Sequence, residues 1–192
     1  MREIDRAIFE SINHWPESVA PVFVFFSEAI KKTGVRIFLA LFIVALLSAN
    51  KQTRKTILLA LIAWPLANGL TDVLKNGFKM ARPVVDNPAG VIERVGHLTS
   101  YGTASAHAAN MAAIACVFTY CLGWWGGPWI VIALITGIAR INVGVHYPSQ
   151  VLLGWTCGVF CGLLVVKTWE AYVKLRNRQT EEPNEDDAVK TT

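Results

Sequence analysis

Charge is scarce in this sequence. Asp, Glu, Lys and Arg make up only 17% of its 192 residues, against about 25% in an ordinary soluble domain. Hydrophobic residues reach 53% and mean hydropathy is +0.40, which excludes a disordered chain. Acid is scarcer still in the body. Residues 1–180 hold 17 basic and 9 acidic side chains, a net +8, while the last twelve are acidic on balance. Few carboxylates and four histidines argue against a divalent-metal site. The four cysteines, Cys116, Cys121, Cys157 and Cys161, all fall inside apolar runs. They read as small packing residues, not as a disulfide frame. The start, MREIDRAIFESINHW, lacks the continuous apolar core of a cleavable signal peptide. There is no internal repeat.

Long apolar runs are what the chain does have. Segments 35–47, 57–66, 104–122, 129–138 and 151–166 carry few or no charges. Several such runs in a short chain predict a polytopic membrane protein. The fold class expected is all-α, a membrane helix bundle of about six transmembrane helices. Ahead of it, Ile4, Ala7, Ile8 and Ile12 recur at helical spacing between charges, predicting an amphipathic interfacial helix over 1–16. The first apolar segment, 19–30, rises only about 18 Å as a helix, less than the roughly 30 Å hydrocarbon core. The bundle is expected over 17–175, and a disordered acidic tail over 176–192.

Counting six spans assigns sides. The turn with Lys51, Arg54 and Lys55 shares one side with the C-terminal Lys174, Arg176 and Arg178. The positive-inside rule makes that side cytoplasmic, against Lys31, Lys32 and Arg36. The long polar loop 76–103 and the short connection 142–147 then share the outer side. The expected location is the inner membrane of a bacterium.

Ionisable residues at span ends are costly and invite a functional reading. Five of them gather on the loop side: Lys75, Arg82, His107, Arg140 and His146, with Ser105 opening a span. Any one cation alone reads as a snorkelling anchor. Together, three cations, two imidazoles and a helix N-terminus suit an anion, and phosphate is the obvious candidate. His97 reads as a solvated loop residue and His14 as interfacial. Tyr101 and Trp155 read as packing or lipid-facing residues. The basic residues are scattered between apolar spans, so nucleic acid is not the expected partner.

The spacing is more specific than its parts. Lys75, six residues, Arg82-Pro83; Ala104-Ser105-Ala106-His107; Ala139-Arg140, five residues, His146, three residues, Gln150. This resembles the type-2 phosphatidic acid phosphatase (PAP2) superfamily, with its pattern K-x6-R-P, P-S-G-H and S-R-x5-H-x3-D. The resemblance covers about 30–172. It implies a membrane lipid phosphatase working without metal or other cofactor. His146 would be the nucleophile and His107 the general acid and base. Lys75, Arg82, Ser105, Ala106 through its backbone, and Arg140 would bind phosphoryl oxygens. Phosphoryl transfer rewards this cation-rich set, because charge spreads over the equatorial oxygens.

Four positions depart from the pattern. Ala104 and Ala106 replace Pro and Gly, and Ala139 replaces Ser. Gln150 stands where the family's Asp accepts a hydrogen bond from the nucleophilic histidine. A glutamine can accept from the imidazole N–H but cannot offset imidazolium charge. Asp86 or Glu93 could supply the carboxylate instead. The expected substrate is a lipid phosphate or diphosphate: polyprenyl diphosphate, phosphatidylglycerol phosphate, phosphatidic acid or lipid A 1-phosphate. The alternatives are a lipid-to-lipid phosphotransferase, or a lipid-phosphate-binding membrane protein weakened by Gln150.

Overall fold

Apolar runs broken by Pro, Gly and Asn have one low-cost solution in a bilayer: helices that satisfy their own backbone. The computed structural model describes residues 2–86, 88–96 and 100–181, and these contain helices and turns but no strand. In chain order the helices are α1 (Arg2–Asn13), α2 (Ala20–Glu28), α3 (Thr33–Leu47), α4 (Lys51–Phe78), α5 (Pro83–Asp86), α6 (Ala106–Leu122), α7 (Gly127–Asn142) and α8 (Pro148–Glu181). Three stretches are long and apolar enough to cross a membrane: Lys51–Asp86, Ala106–Asn142 and Pro148–Thr180; Thr33–Leu47 is a shorter apolar helix. The chain is an integral membrane protein.

Local chemistry sets the helix ends that matter. Asn50 caps α4, its Oδ1 accepting from Thr53 N at 2.9 Å. Lys79 ends α4 in the left-handed region at φ 48°, its N–H donating to the Lys75 carbonyl. The helix runs through Pro65 without a break. Pro65 is exposed, so its ring lies on the outer surface and disturbs no helix contact.

The core joins α4, α6 and α8. It includes Ala63, Ala67, Ala109, Ala113, Val117 and Cys161. Small residues dominate because α6 and α8 meet almost backbone to backbone. A Cβ at Gly158 would lie 2.1 Å from the Ala109 carbonyl, and one at Gly154 would lie 2.5 Å from that of Ser105. In lipid, where helices gain little from apolar burial, such close packing drives association. Cys157 and Cys161 are buried free thiols in this core, as their i, i+4 spacing predicts. By contrast α3 has no buried residue, and its Phe38 and Leu41 are 65% and 66% exposed.

The N-terminal region departs from expectation in two ways. First, α1 is amphipathic but does not simply lie on lipid. Phe9 is buried and stacks edge-on against Tyr147 at 5.3 Å. Asn13 Nδ2 donates to the carbonyls of Ile92 and Asn142, and Asn13 Oδ1 accepts from Ile92 N at 2.8 Å. Second, α2 begins and ends at the same end of the bundle. Glu17, just before it, pairs with Arg94 at 2.7 Å, and Arg94 also bonds the Asn142 carbonyl. Ser27 and Glu28, at its other end, meet Arg140 on the last turn of α7. Segment 19–30 is not among the stretches long and apolar enough to cross a membrane, and its nine helical residues fall short of a full span. α4, α6 and α8 form the centre of the bundle. At its opposite end Gln52 Nε2 donates to the Cys121 carbonyl at 2.6 Å.

The last helix is also longer than expected. It continues to Glu181, through the basic residues beyond Tyr172. His97 and the acidic residues of 182–192 lie outside the described residues.

Candidate active site

Three local structures converge at one end of the bundle. The first is the turn after α4, where Pro83 starts α5 and Arg82 precedes it. The second is the N-terminus of α6, capped by Ser105, whose Oγ accepts from Ala108 N at 3.5 Å. The third is the connection from α7 to α8, which carries His146. The loop between the first two is closed by Gly102 N donating to the Met80 carbonyl at 2.8 Å and Met80 N donating to Thr103 Oγ1 at 3.1 Å. The second and third are tied by Ser105 N donating to the Gln150 carbonyl at 3.0 Å.

His146 is 2% exposed and Gln150 is 2% exposed. Nδ1 of His146 faces two acceptors, Gln150 Oε1 at 3.1 Å and the Gly102 carbonyl at 3.2 Å. The amide of Gln150 is itself oriented. Its Nε2 donates to the Ala81 carbonyl at 2.8 Å, and its Oε1 accepts from Tyr147 N at 3.2 Å. Those partners fix which end of the amide is oxygen, so Nδ1 carries the imidazole proton and Nε2 keeps its lone pair. Burial first, then the charges of Arg82 and Arg140, hold His146 well below the ordinary histidine range, so the ring is neutral.

Arg82 lies against that lone pair. Its Nη1 donates to His146 Nε2 at 3.1 Å and to the Val145 carbonyl at 2.9 Å. Its Nε donates to the Ser100 carbonyl at 2.6 Å, and Nη2 donates to Ser100 Oγ and the Tyr101 carbonyl. Five N–H groups meet five acceptors, none of them charged. No carboxylate among those partners offsets the guanidinium charge.

Arg140 is 3% exposed. Its Nη1 donates to Ser27 Oγ at 2.5 Å and lies 4.0 Å from Glu28 Oε1. Its Nε is buried with no hydrogen-bond partner among the described residues. Lys75 Nζ pairs with Asp72 Oδ1 at 3.0 Å. His107 stands in the first turn of α6. The N–H groups of Ala106 and His107 open α6 and have no intrahelical acceptor. Every residue singled out from the motif thus stands at this one end.

The carboxylate expected near His146 is not Asp86. Asp86 Oδ2 accepts from Tyr147 Oη at 2.9 Å and pairs with Arg6 at 3.4 Å. Burial, then this bond, pushes the Tyr147 hydroxyl up to about 12. Both acceptors on Nδ1 are neutral. Ala139, where the pattern has Ser, is fully buried. Trp155 packs in the second core cluster and donates to the Ala133 carbonyl at 3.1 Å.

The motif did not flag four contributors. Gly102 lends its carbonyl and has no room for a side chain, since a Cβ would lie 2.9 Å from Gln150 Oε1. A glycine just ahead of a helix N-cap was the available signal. Ser100, Ser27 and Glu28 are the others. Nothing in their spacing links them to Arg82 or Arg140.

Residues 56–174 match the model of the PAP2 superfamily. The chain belongs to the PAP2 superfamily. It is a phosphatase of this membrane family. Among relatives, it is 30% identical over 128 residues to an undecaprenyl-diphosphatase of Sulfolobus acidocaldarius. That alignment takes in 65% of this chain and spans 61% of the relative's length. It is 25% identical to the undecaprenyl-diphosphatase BcrC of Bacillus subtilis, covering 95% of this chain and 97% of that one. Two solved structures share this fold. Aquifex aeolicus LpxE superposes with a TM-score of 0.71 at 23% identity, over 84% of this chain and 93% of that one. A transmembrane PAP2-type phosphatidylglycerolphosphate phosphatase from Bacillus subtilis gives 0.68 at 22%, over 88% and 86%.

Proposed function

We propose that this PAP2 phosphatase removes the terminal phosphate from a lipid phosphate, with polyprenyl diphosphate the favoured class, through a phosphohistidine on His146. The observation that carries this is the neutral imidazole with its proton held on Nδ1 and its lone pair on Nε2 beside Arg82. A nucleophilic histidine needs that tautomer.

The chemistry runs in two displacements. Nε2 attacks phosphorus as the bond from phosphorus to the leaving oxygen breaks, and His107 gives that oxygen a proton. Water then attacks the phosphohistidine, giving His107 its proton and releasing inorganic phosphate from Nε2. Arg82, Arg140 and Lys75 balance the phosphoryl charge, with Ser105 and the backbone N–H groups of Ala106 and His107 as donors. Gln150 and the Gly102 carbonyl, both neutral, keep the tautomer.

The substrate class rests on two supports. Both curated relatives are named as undecaprenyl-diphosphatases. The site also lies at the end of an apolar bundle, where a lipid headgroup sits while its chains stay in the bilayer. Lys51, Arg54, Lys55, Lys174, Arg176 and Arg178 gather at the far end, so the positive-inside rule turns the site outward from a bacterial cytoplasmic membrane, with the C-terminus inside. α1 then lies with the site on the outer face.

The test is phosphate release in detergent micelles from polyprenyl diphosphate, phosphatidic acid and phosphatidylglycerol phosphate, comparing wild type with His146→Ala. Release by wild type and none by the variant is expected. Acid-labile label on the wild-type protein after brief exposure to 32P-substrate is the expected sign of the intermediate. Equal release by both proteins would sink the assignment of His146.

A further inference from the structure

The PAP2 match begins at residue 56, so the turn after α2 lies outside it, yet this turn enters the site. Glu28 ends α2, and the 3-10 turn Ala29–Lys31 follows. Lys31 Nζ pairs with Glu28 Oε2 at 2.6 Å. The other oxygen of the same carboxylate, Oε1, lies 4.0 Å from Arg140 Nη1. One carboxylate thus sits between two cations at the edge of a phosphate site. Arg140 still has a buried Nε with no hydrogen-bond partner among the described residues. Glu28 occupies a place built for an anion and does not fill its donors.

Lys31 meets the site through Glu28 and Arg140, whereas Arg82 occupies the attacking nitrogen of His146. In an in-line displacement the leaving group departs opposite the attacking Nε2, which is the side open to a cation that does not crowd that nitrogen. The Lys31 side chain is 58% exposed, so a headgroup reaches it. On the leaving side a phosphate monoester places only an alkoxide oxygen, which needs a proton and no cation. A diphosphate places a second phosphate there, carrying charge throughout the reaction.

Resting on the lipid-phosphatase reading above, we infer that Lys31 binds the phosphate of the leaving group, displacing Glu28, and so sets a preference for lipid diphosphates over lipid monophosphates. The cation contributes where the leaving phosphate gains charge, so its effect falls on turnover as well as binding. A lysine suits the position, since its ammonium is a point charge on a flexible stem that can turn from Glu28 to an incoming phosphate.

The experiment compares farnesyl diphosphate with farnesyl monophosphate, which differ only in that second phosphate. The full chain in detergent micelles is assayed for initial phosphate release, with products separated by chromatography. Lys31→Gln is expected to lower kcat/KM for the diphosphate about tenfold or more, as loss of a charge-assisted hydrogen bond does. The loss for the monophosphate is expected to be much smaller, so the ratio of the two constants shifts. Lys31→Arg is expected to restore most of that ratio. An unchanged ratio in Lys31→Gln overturns the inference, whether both rates fall together or neither does. Wild type that cleaves the monophosphate but not the diphosphate also overturns it, and leaves the phosphatase reading standing. Wild type that cleaves neither of these nor phosphatidic acid removes both.

Discussion

At the site end of the bundle, Arg82 and Arg140 are 4% and 3% exposed, and their partners are mostly neutral: carbonyls, hydroxyls and an imidazole. At the far end, Lys167 pairs with Glu170 at 3.0 Å, with side chains 60% and 48% exposed, and Lys167 also donates to Tyr120 Oη. Both ends are basic, but the charges do different things. Opposite charges paired at an exposed surface cancel, and solvent screens what remains. Cations buried among neutral acceptors keep their charge and create a field that only an anion relieves. Burial with neutral partners, more than the number of basic residues, distinguishes a phosphate site from a set of membrane anchors.

Three substitutions probe that contrast. The largest effect is expected from Arg82→Lys. It preserves charge but cannot meet five acceptors, so Ser100 and Val145 carbonyls lose donors and His146 loses its neighbour. Turnover should fall roughly 10²–10³-fold, as when a fixed transition-state donor is lost, and thermal unfolding should move to lower temperature. Retention of wild-type turnover would mean that charge alone suffices at this position.

A smaller loss is expected for Gly102→Ala. The added carbon would meet Gln150 Oε1 at 2.9 Å and Nε2 at 3.0 Å. Displacing that amide loosens the Nδ1 bond of His146 and misaims Nε2, a fault that costs up to about 10²-fold when geometry shifts by an ångström. Steady-state kinetics should show the loss in kcat with KM little changed. A pure KM effect would instead place Gly102 on the substrate path.

The smallest effect is expected at the far end. Glu170→Gln removes the exposed pair with Lys167 and should leave both activity and the unfolding midpoint unchanged within error. A clear loss in either would show that the two ends are coupled through α8, and the contrast drawn above would fail.

Much of this was legible in residue order. Apolar runs marked the helices, because a bilayer leaves few other ways to satisfy a backbone. Lys75, Arg82, Ser105, His107, Arg140 and His146 were legible as a set, because charges at span ends need a reason and their spacing matched a phosphatase pattern. The role of α2 was not legible. Nothing in an apolar stretch says what it packs against; that Ser27 and Glu28 meet Arg140 is decided only in the folded chain. The acceptors of His146 were hidden for a related reason. Gln150 was in view through its spacing, but Gly102 acts through a carbonyl, and carbonyls leave no mark in a sequence.

The sequence by itself therefore determined an apolar, helical membrane chain with a phosphate-seeking set of side chains, since both properties follow from composition and spacing. Only the tertiary structure decided how those side chains are tuned. It placed Arg82 on the lone pair of His146, turned the Gln150 amide with Ala81 and Tyr147, and brought Glu28 and Lys31 beside Arg140. Those relations depend on which helix ends meet, and they are set by packing between segments far apart in the chain.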